Sequence, residues 1–235
     1  MATVDLSKKT VNLSKGELVN LSKQSEGLKK IMVGLGWDPA DSGISGYIEN
    51  HVKKGFFGRL FGGSSASDSQ PVQSNETIDC DAWLALLQGG VLKKSDDVVY
   101  YGNKDLMIKG YNVVHHHGDN LTGDGDGDDE QITINLDKLP PEYDSIVIGV
   151  TIYRGKEKRQ SFSTIKNTFI RVVDEKDGFE ICRFNQAEMA DNKDAITFIA
   201  GKLYKDKGEW QFKAIGEGTS DASIMQAANH YKYEK

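Results

Sequence analysis

The stretch from Asp119 to Glu130 concentrates six acids, Asp119, Asp124, Asp126, Asp128, Asp129 and Glu130, in twelve residues that contain no Lys or Arg. Like charges packed this closely oppose compaction unless a cation neutralises them. Calcium takes roughly six to eight oxygens from carboxylates, amide oxygens and carbonyls. Glycines between the aspartates let the chain curl tightly enough for those oxygens to converge. The segment therefore reads as a calcium loop, with a solvated acidic turn as the plainer alternative. The spacing Asp124-x-Asp126-x-Asp128 matches the start of an EF-hand loop. Asp129 nevertheless stands where that motif requires Gly, and the flanking segments have strand character.

A second group of carboxylates, Asp79-Cys80-Asp81, precedes the strand-like Ala82–Leu87. Alternation along an extended chain puts both aspartates on one side and Cys80 on the other. Alone, such a pair reads as an exposed strand start; beside the acidic loop it supplies further ligands. His115-His116-His117 offers imidazoles, which suit zinc, copper or nickel, and alternation sends His115 and His117 to one face. With no Cys or third partner at a diagnostic spacing, the run reads as a solvated strand end. No GxSxG, P-loop or GxGxxG after a strand is present, and no catalytic residue is assigned. Magnesium for phosphoryl chemistry would rely on one or two carboxylates plus substrate, not on a dense cage. A non-enzymatic binding module is the expectation.

The elements that must hold these residues are strands. Val4-Asp5-Leu6-Ser7-Lys8, Val11-Asn12-Leu13-Ser14-Lys15 and Val19-Asn20-Leu21-Ser22-Lys23 echo one another with period-two alternation, which suggests a hairpin. Ile31–Trp37 reads as a buried strand containing Gly34 and Gly36. Further strands are predicted over Ala82–Leu87, Asp97–Tyr101, Gln131–Leu136, Ser145–Tyr153, Thr168–Val173, Phe179–Phe184, Ile196–Tyr204 and Glu209–Ile215. Tyr153–Arg159 is a charged hairpin tip. Asp221 is positioned to cap a short C-terminal helix with Ile224, Ala228 and Tyr231 on one side. Trp37, Trp83 and Trp210 belong in a core, as do Cys80 and Cys182.

Residues 42–78 interrupt this pattern with a short amphipathic segment and a Gly/Ser-rich linker. Within it, 51–61 carries Lys53, Lys54 and Arg59 beside Phe56, Phe57, Leu60 and Phe61. Such a run suits peripheral contact with an anionic membrane surface, or it covers the core of the chain itself. The organisation is therefore one domain built from 1–41 and 79–235, with 42–78 inserted.

At 235 residues, 38% hydrophobic and 27% charged, the chain has a globular composition. A net charge of −6, without clustered Lys and Arg, argues against a nucleic-acid partner. Two cysteines cannot build a disulfide framework, and neither a secretory signal nor an 18-residue apolar span is seen. A cytoplasmic location is expected, with peripheral contact at the inner face of the membrane through 51–61.

At these motifs the sequence resembles the TerD family of tellurite-resistance and general stress proteins. The resemblance rests on Val33-Gly34-Leu35-Gly36-Trp37-Asp38, Asp79-Cys80-Asp81-Ala82, Asp97-Val98-Val99-Tyr100-Tyr101 and Gly118–Glu130. Asn167–Val173 and Gly208–Gly216 extend it over nearly the whole chain outside 42–78. It implies an all-β fold, a calcium-binding β-sandwich with a short C-terminal helix, and two calcium ions clustered at one end. The implied ligands are Asp79, Asp81, Asp119, Asn120, Asp124, Asp126, Asp128, Asp129 and Glu130, with Asp38 as a further contributor. The implied role is a binding or scaffold module in a stress response with protein partners. Recognition of a small ligand such as a nucleotide at the same acidic end is the alternative. The chain departs from the family pattern in its long insertion and in Cys80, where an apolar residue is usual.

Overall fold

Alternating apolar positions become thirteen strands among the described residues, and these form two facing sheets. The structure, a computed structural model, describes residues 8–38, 78–118, 120–121, 127–185 and 194–233. In chain order the strands are β1 (Val11–Leu13), β2 (Leu18–Asn20), β3 (Lys30–Asp38), β4 (Cys80–Leu87), β5 (Val98–Val99), β6 (Asp105–Ile108) and β7 (Tyr111–His116). Then follow β8 (Glu130–Asn135), β9 (Ser145–Ile152), β10 (Lys166–Asp174), β11 (Phe179–Asn185), β12 (Thr197–Asp206) and β13 (Glu209–Thr219). Three short helices, α1 (Leu21–Gln24), α2 (Gly155–Lys158) and α3 (Ile224–Asn229), complete the described elements of regular α structure. The first sheet runs β1-β11-β10-β3-β8-β7-β6 and the second β2-β13-β12-β9-β4-β5. The fold is all-β.

Period-two alternation decides what lies between the sheets. Ile31, Val33, Leu35 and Trp37 of β3 face Cys80, Ala82, Leu84 and Leu86 of β4 in one buried cluster, joined by Ile146, Ile148 and Val150 of β9. Complete burial of each such side chain contributes about 1.5–3 kcal/mol. The opposite parity of β4 (Trp83, Ala85, Leu87) faces outward and would be exposed without α3. Ile224, Ala227 and Ala228 of that helix cover it, forming a second, smaller core. Trp83 lies over Gly149 of β9, where an added Cβ would overlap the indole ring. All three tryptophans and both cysteines are buried, as composition suggested.

Some expectations need correction. The second and third copies of the N-terminal echo do not form a hairpin with each other, and the first, residues 4–8, lies outside the described residues apart from Lys8. β1 pairs with β11, in parallel, at the edge of the first sheet, whereas β2 pairs with β13 at the edge of the second. Their shared apolar pattern fits either sheet, so the repeat records burial and not mutual pairing. The predicted strand Asp97–Tyr101 contracts to Val98–Val99 because a 3₁₀ turn occupies Ser95–Asp97. The helix cap is Ser223, whose side chain accepts the Gln226 amide; Asp221 instead meets His230 at 3.0 Å. Tyr153–Arg159 is no simple tip: α2 sits between Arg154 and Arg159, both in the left-handed region.

The insertion expected over 42–78, including 51–61, lies outside the described residues apart from Ile78. Among the described residues no helix is long and apolar enough to cross a membrane.

Candidate metal centre

The acidic end is built where β8 of the first sheet meets β4 of the second. Because β5 pairs only with Leu84 and Ala85, the segment Cys80–Trp83 is left uncovered on that side. Glu130 pairs with Leu35 and shares the inward parity of Ile132 and Ile134, so its side chain enters the space between the sheets. There Glu130 Oε2 accepts the Ala82 amide at 2.6 Å. A carboxylate from one sheet thus satisfies an edge amide of the other. His116 is buried beside it, with Nε2 3.6 Å from the same oxygen. Since the Gly118 amide donates to His116 Nδ1, the proton of the neutral ring sits on Nε2 and points toward Glu130.

Asp129 fastens the end of the acidic loop to β3. Its amide donates to Leu35 O at 2.8 Å, and its Oδ2 accepts the Trp37 amide at 2.9 Å. Its Oδ1 accepts Asn120 Nδ2 at 2.9 Å, which draws the first half of the loop onto the second. Asp79 and Asp81 are buried as well, at 8% and 3% exposure. The Cys80 thiol registers the combined charge. Burial pushes its pKa well up, and Asp81, Asp79, Glu130 and Asp129 each push it further. Four of the expected ligands thus lie within electrostatic reach of one thiol.

Asp128, next in sequence to this group, belongs to a different environment. Its carboxylate lies over Gly34 on the outer face of the first sheet, in a place that any Cβ at 34 would fill. Arg171 grips it with both arms of the guanidinium, Nε to Oδ1 at 2.7 Å and Nη2 to Oδ2 at 2.9 Å. Gln131 adds a third bond at 3.2 Å. The bond to Asp128 is the chief cause that raises the Arg171 pKa. Arg171 Nη1 continues to Glu180 at 3.1 Å, and Arg183 closes on Glu180 with two bonds of 2.8 Å. Asp38 ends β3 on the surface, where Asn167 donates to its Oδ2.

Asp119, Asp124 and Asp126 lie outside the described residues. Among the described residues no three of His, Cys, Asp and Glu stand close enough to share an ion. Of the expected ligands, the fold brings Asp79, Asp81, Asp129 and Glu130 to one end of the sandwich, with Asp81 on the outer side of β4 and Glu130 between the sheets, and it ties Asn120 to Asp129. It places Asp128 and Asp38 with other partners.

Beside Asp81, on the outer side of the second sheet, a cleft of about 300 Å3 opens between Tyr100, Tyr101, Tyr153, Arg154 and the start of α3. The Tyr101 ring contacts both other tyrosines edge-on, at 5.2 and 6.1 Å between centroids.

The match to known proteins agrees with this architecture: residues 9–231 fit the model of the TerD domain. The chain belongs to the TerD family. It is 40% identical to the stress response protein SCP2 of Bacillus subtilis (strain 168), over 94% of this chain and 98% of that protein. It is 35% identical to the tellurium resistance protein TerD of Serratia marcescens, over 89% and 91% of the two chains. Among solved structures, a homologue of the telluride resistance protein (TerD) from Streptomyces coelicolor A3(2) superposes with a TM-score of 0.55. It is 18% identical and covers 86% of this chain and 96% of its own, a likeness of fold.

Within this TerD domain, sequence reasoning missed the groups that organise the carboxylates. Arg171, the Ala82 amide and buried His116 are distant in sequence from their partners or ordinary in type. The one available signal was parity: Glu130 continues the alternation of Ile132 and Ile134, so a buried carboxylate at the inter-sheet end was implied.

Proposed function

We propose that the protein is a non-enzymatic calcium-binding module of a tellurium-resistance or stress response, acting in the cytoplasm as a binding or scaffold domain. The observation that carries this reading is the pair Asp129 and Glu130, fixed by the Trp37 and Ala82 amides near buried Asp79 and Asp81, at the foot of a loop rich in further aspartates. The donor set is oxygen throughout, which suits a hard cation of flexible coordination and disfavours thiophilic metals. Asp79, Asp81, Asn120, Asp129 and Glu130 would hold calcium together with Asp119, Asp124 and Asp126 of the loop. Calcium would supply positive charge among these carboxylates. The residues of the chain do the positioning: the Ala82 amide orients Glu130, and the Trp37 amide orients Asp129. Names of relatives in stress and tellurium resistance support the cellular role.

Calorimetry of the metal-free protein with calcium tests this directly. The expected result is saturable binding of up to two ions. A flat titration would remove calcium from the account.

The cleft between Tyr100, Tyr101 and Tyr153 favours a second reading, small-ligand binding at the same end. An aromatic wall beside Arg154 and a metal-holding Asp81 is chemistry that a nucleotide can use. Calcium titrations with and without a nucleoside triphosphate separate the two readings, since only the second requires the affinities to be coupled.

A further inference from the structure

The outer face of the first sheet carries a pair of histidines whose protons are fixed by their neighbours. His115 and His117 project from one side of the β7 end, while His116 points inward. Their rings stand edge to face, 4.7 Å between centroids. His115 Nδ1 lies 2.7 Å from Asp105 Oδ1. A carboxylate accepts, so Nδ1 carries the hydrogen and Nε2 is left with a lone pair. His117 Nε2 lies 2.6 Å from Thr133 Oγ1, and the single hydroxyl hydrogen of Thr133 goes to Glu175 Oε1 at 2.9 Å. Thr133 Oγ1 must therefore accept from His117, which puts the hydrogen on Nε2 and the lone pair on Nδ1.

Both rings are thus oriented through the nitrogen that faces the protein and bare on the other. Histidine metal ligands are held in this way, with the second nitrogen donating to a carboxylate or hydroxyl that fixes tautomer and orientation. The rings border an open hollow of about 220 Å3 that also touches Asn112, Asn135 and Lys30. The one lysine there does not bar a cation, because its ammonium is bonded to Glu175 at 2.6 Å.

The geometry points to a second metal site, in which His115 Nε2 and His117 Nδ1 bind a divalent transition ion such as nickel, copper or zinc, with water completing the coordination. Imidazole nitrogen selects these ions over calcium, and the site uses none of the residues assigned to calcium. It stands whether or not the acidic end binds calcium. Asp105 and Thr133 are its positioning residues.

The test uses the full-length untagged protein in excess calcium, titrated with nickel by calorimetry and loaded with copper for electron paramagnetic resonance. One nickel per chain is expected, unaffected by calcium, and the copper spectrum should show coupling to two imidazole nitrogens. His115→Ala and His117→Ala should each weaken nickel binding at least tenfold. Asp105→Asn should weaken it about tenfold while both nitrogens persist in the copper spectrum, a change that a merely structural role would not produce. A double variant, His115→Ala with His117→Ala, that binds nickel as tightly as the parent overturns the proposal. So does a copper spectrum with oxygen ligands alone, or nickel displaced by calcium. Circular dichroism of the double variant should match the parent, because both side chains lie on the outer face.

Discussion

Asp128 and its two neighbours, Asp129 and Glu130, are consecutive carboxylates that received opposite treatment. Asp128 turns to the outer face and finds a protein cation, the forked guanidinium of Arg171, with Glu180 and Arg183 extending the network. Asp129 and Glu130 are held by main-chain amides of the two sheets, Trp37 on β3 and Ala82 on β4, and buried His116 stands beside Glu130. The first region is complete within the chain. In the second, main-chain amides set the orientation of the carboxylates. Carboxylate density therefore says little about ion binding until one asks which carboxylates already have a counter-charge.

Removing the counter-charge of the first region should give the largest effect. Arg171→Met leaves the fully buried Asp128 carboxylate without its fork, and breaking a buried pair from one side costs about 3 kcal/mol. Urea denaturation should report that loss, while calcium affinity stays near the parental value. An equal loss of calcium binding would erase the distinction between the two regions.

Chelation probes the other region. If calcium neutralises the inner carboxylates, a hundredfold excess over Kd adds about 2.7 kcal/mol. Melting with chelator and with calcium should differ accordingly. A melting temperature indifferent to chelator contradicts the assignment.

Next in size is a contrast of variants in calcium calorimetry. Asp81→Asn combined with Asp129→Asn should weaken binding at least tenfold, about 1.4 kcal/mol. Asp128→Asn should change it less than threefold despite standing in the same acidic run. Identical losses in both would show that the fork of Arg171 does not remove Asp128 from the metal.

The smallest effect concerns pH. Burial pushes the Glu180 carboxyl upward, but its bonds from Arg183 and Arg171 outweigh that and leave its pKa below the ordinary value of 4.5. A depressed folded-state pKa contributes stability that is fully present above the unfolded value and lost as pH falls through the folded one. The stability gap between parent and Glu180→Gln should accordingly be constant near neutrality and close only below about pH 4.5. A gap that persists at lower pH would mean that Glu180 contributes by shape alone.

Much of the molecule was legible from periodicity, because a sandwich writes its parity into every strand. Ile132-x-Ile134 and the alternation of Cys80 through Leu87 predicted both position and facing. Turns were less legible. Lys109-Gly110 and Lys207-Gly208 each place two residues at positive φ between paired strands, the backbone of a two-residue hairpin turn. Lysine in the first place hides that signal, and the β6–β7 hairpin went unseen. At the acidic end the composition located the carboxylates but not their division. Gly34 decides it, since the missing side chain there makes room for Asp128 on the outer face, and no local pattern links two residues so far apart in the chain. Arg171 is equally silent, being an ordinary alternating residue until β10 is laid beside β3.

The splitting of the N-terminal segment between the two sheets bears on how the chain is made. Residues 11–13 and 18–20 are synthesised well before their partners, 182–184 and 211–213. Neither pairing can form until those later strands have been made. Closing contacts this distant is the slow part of building a β fold. Until then these two strands remain unpaired edges, open to other chains. Ser, Lys and Asn interspersed through that segment keep the waiting edge polar, so the same repeat that misleads as a hairpin also protects the nascent protein.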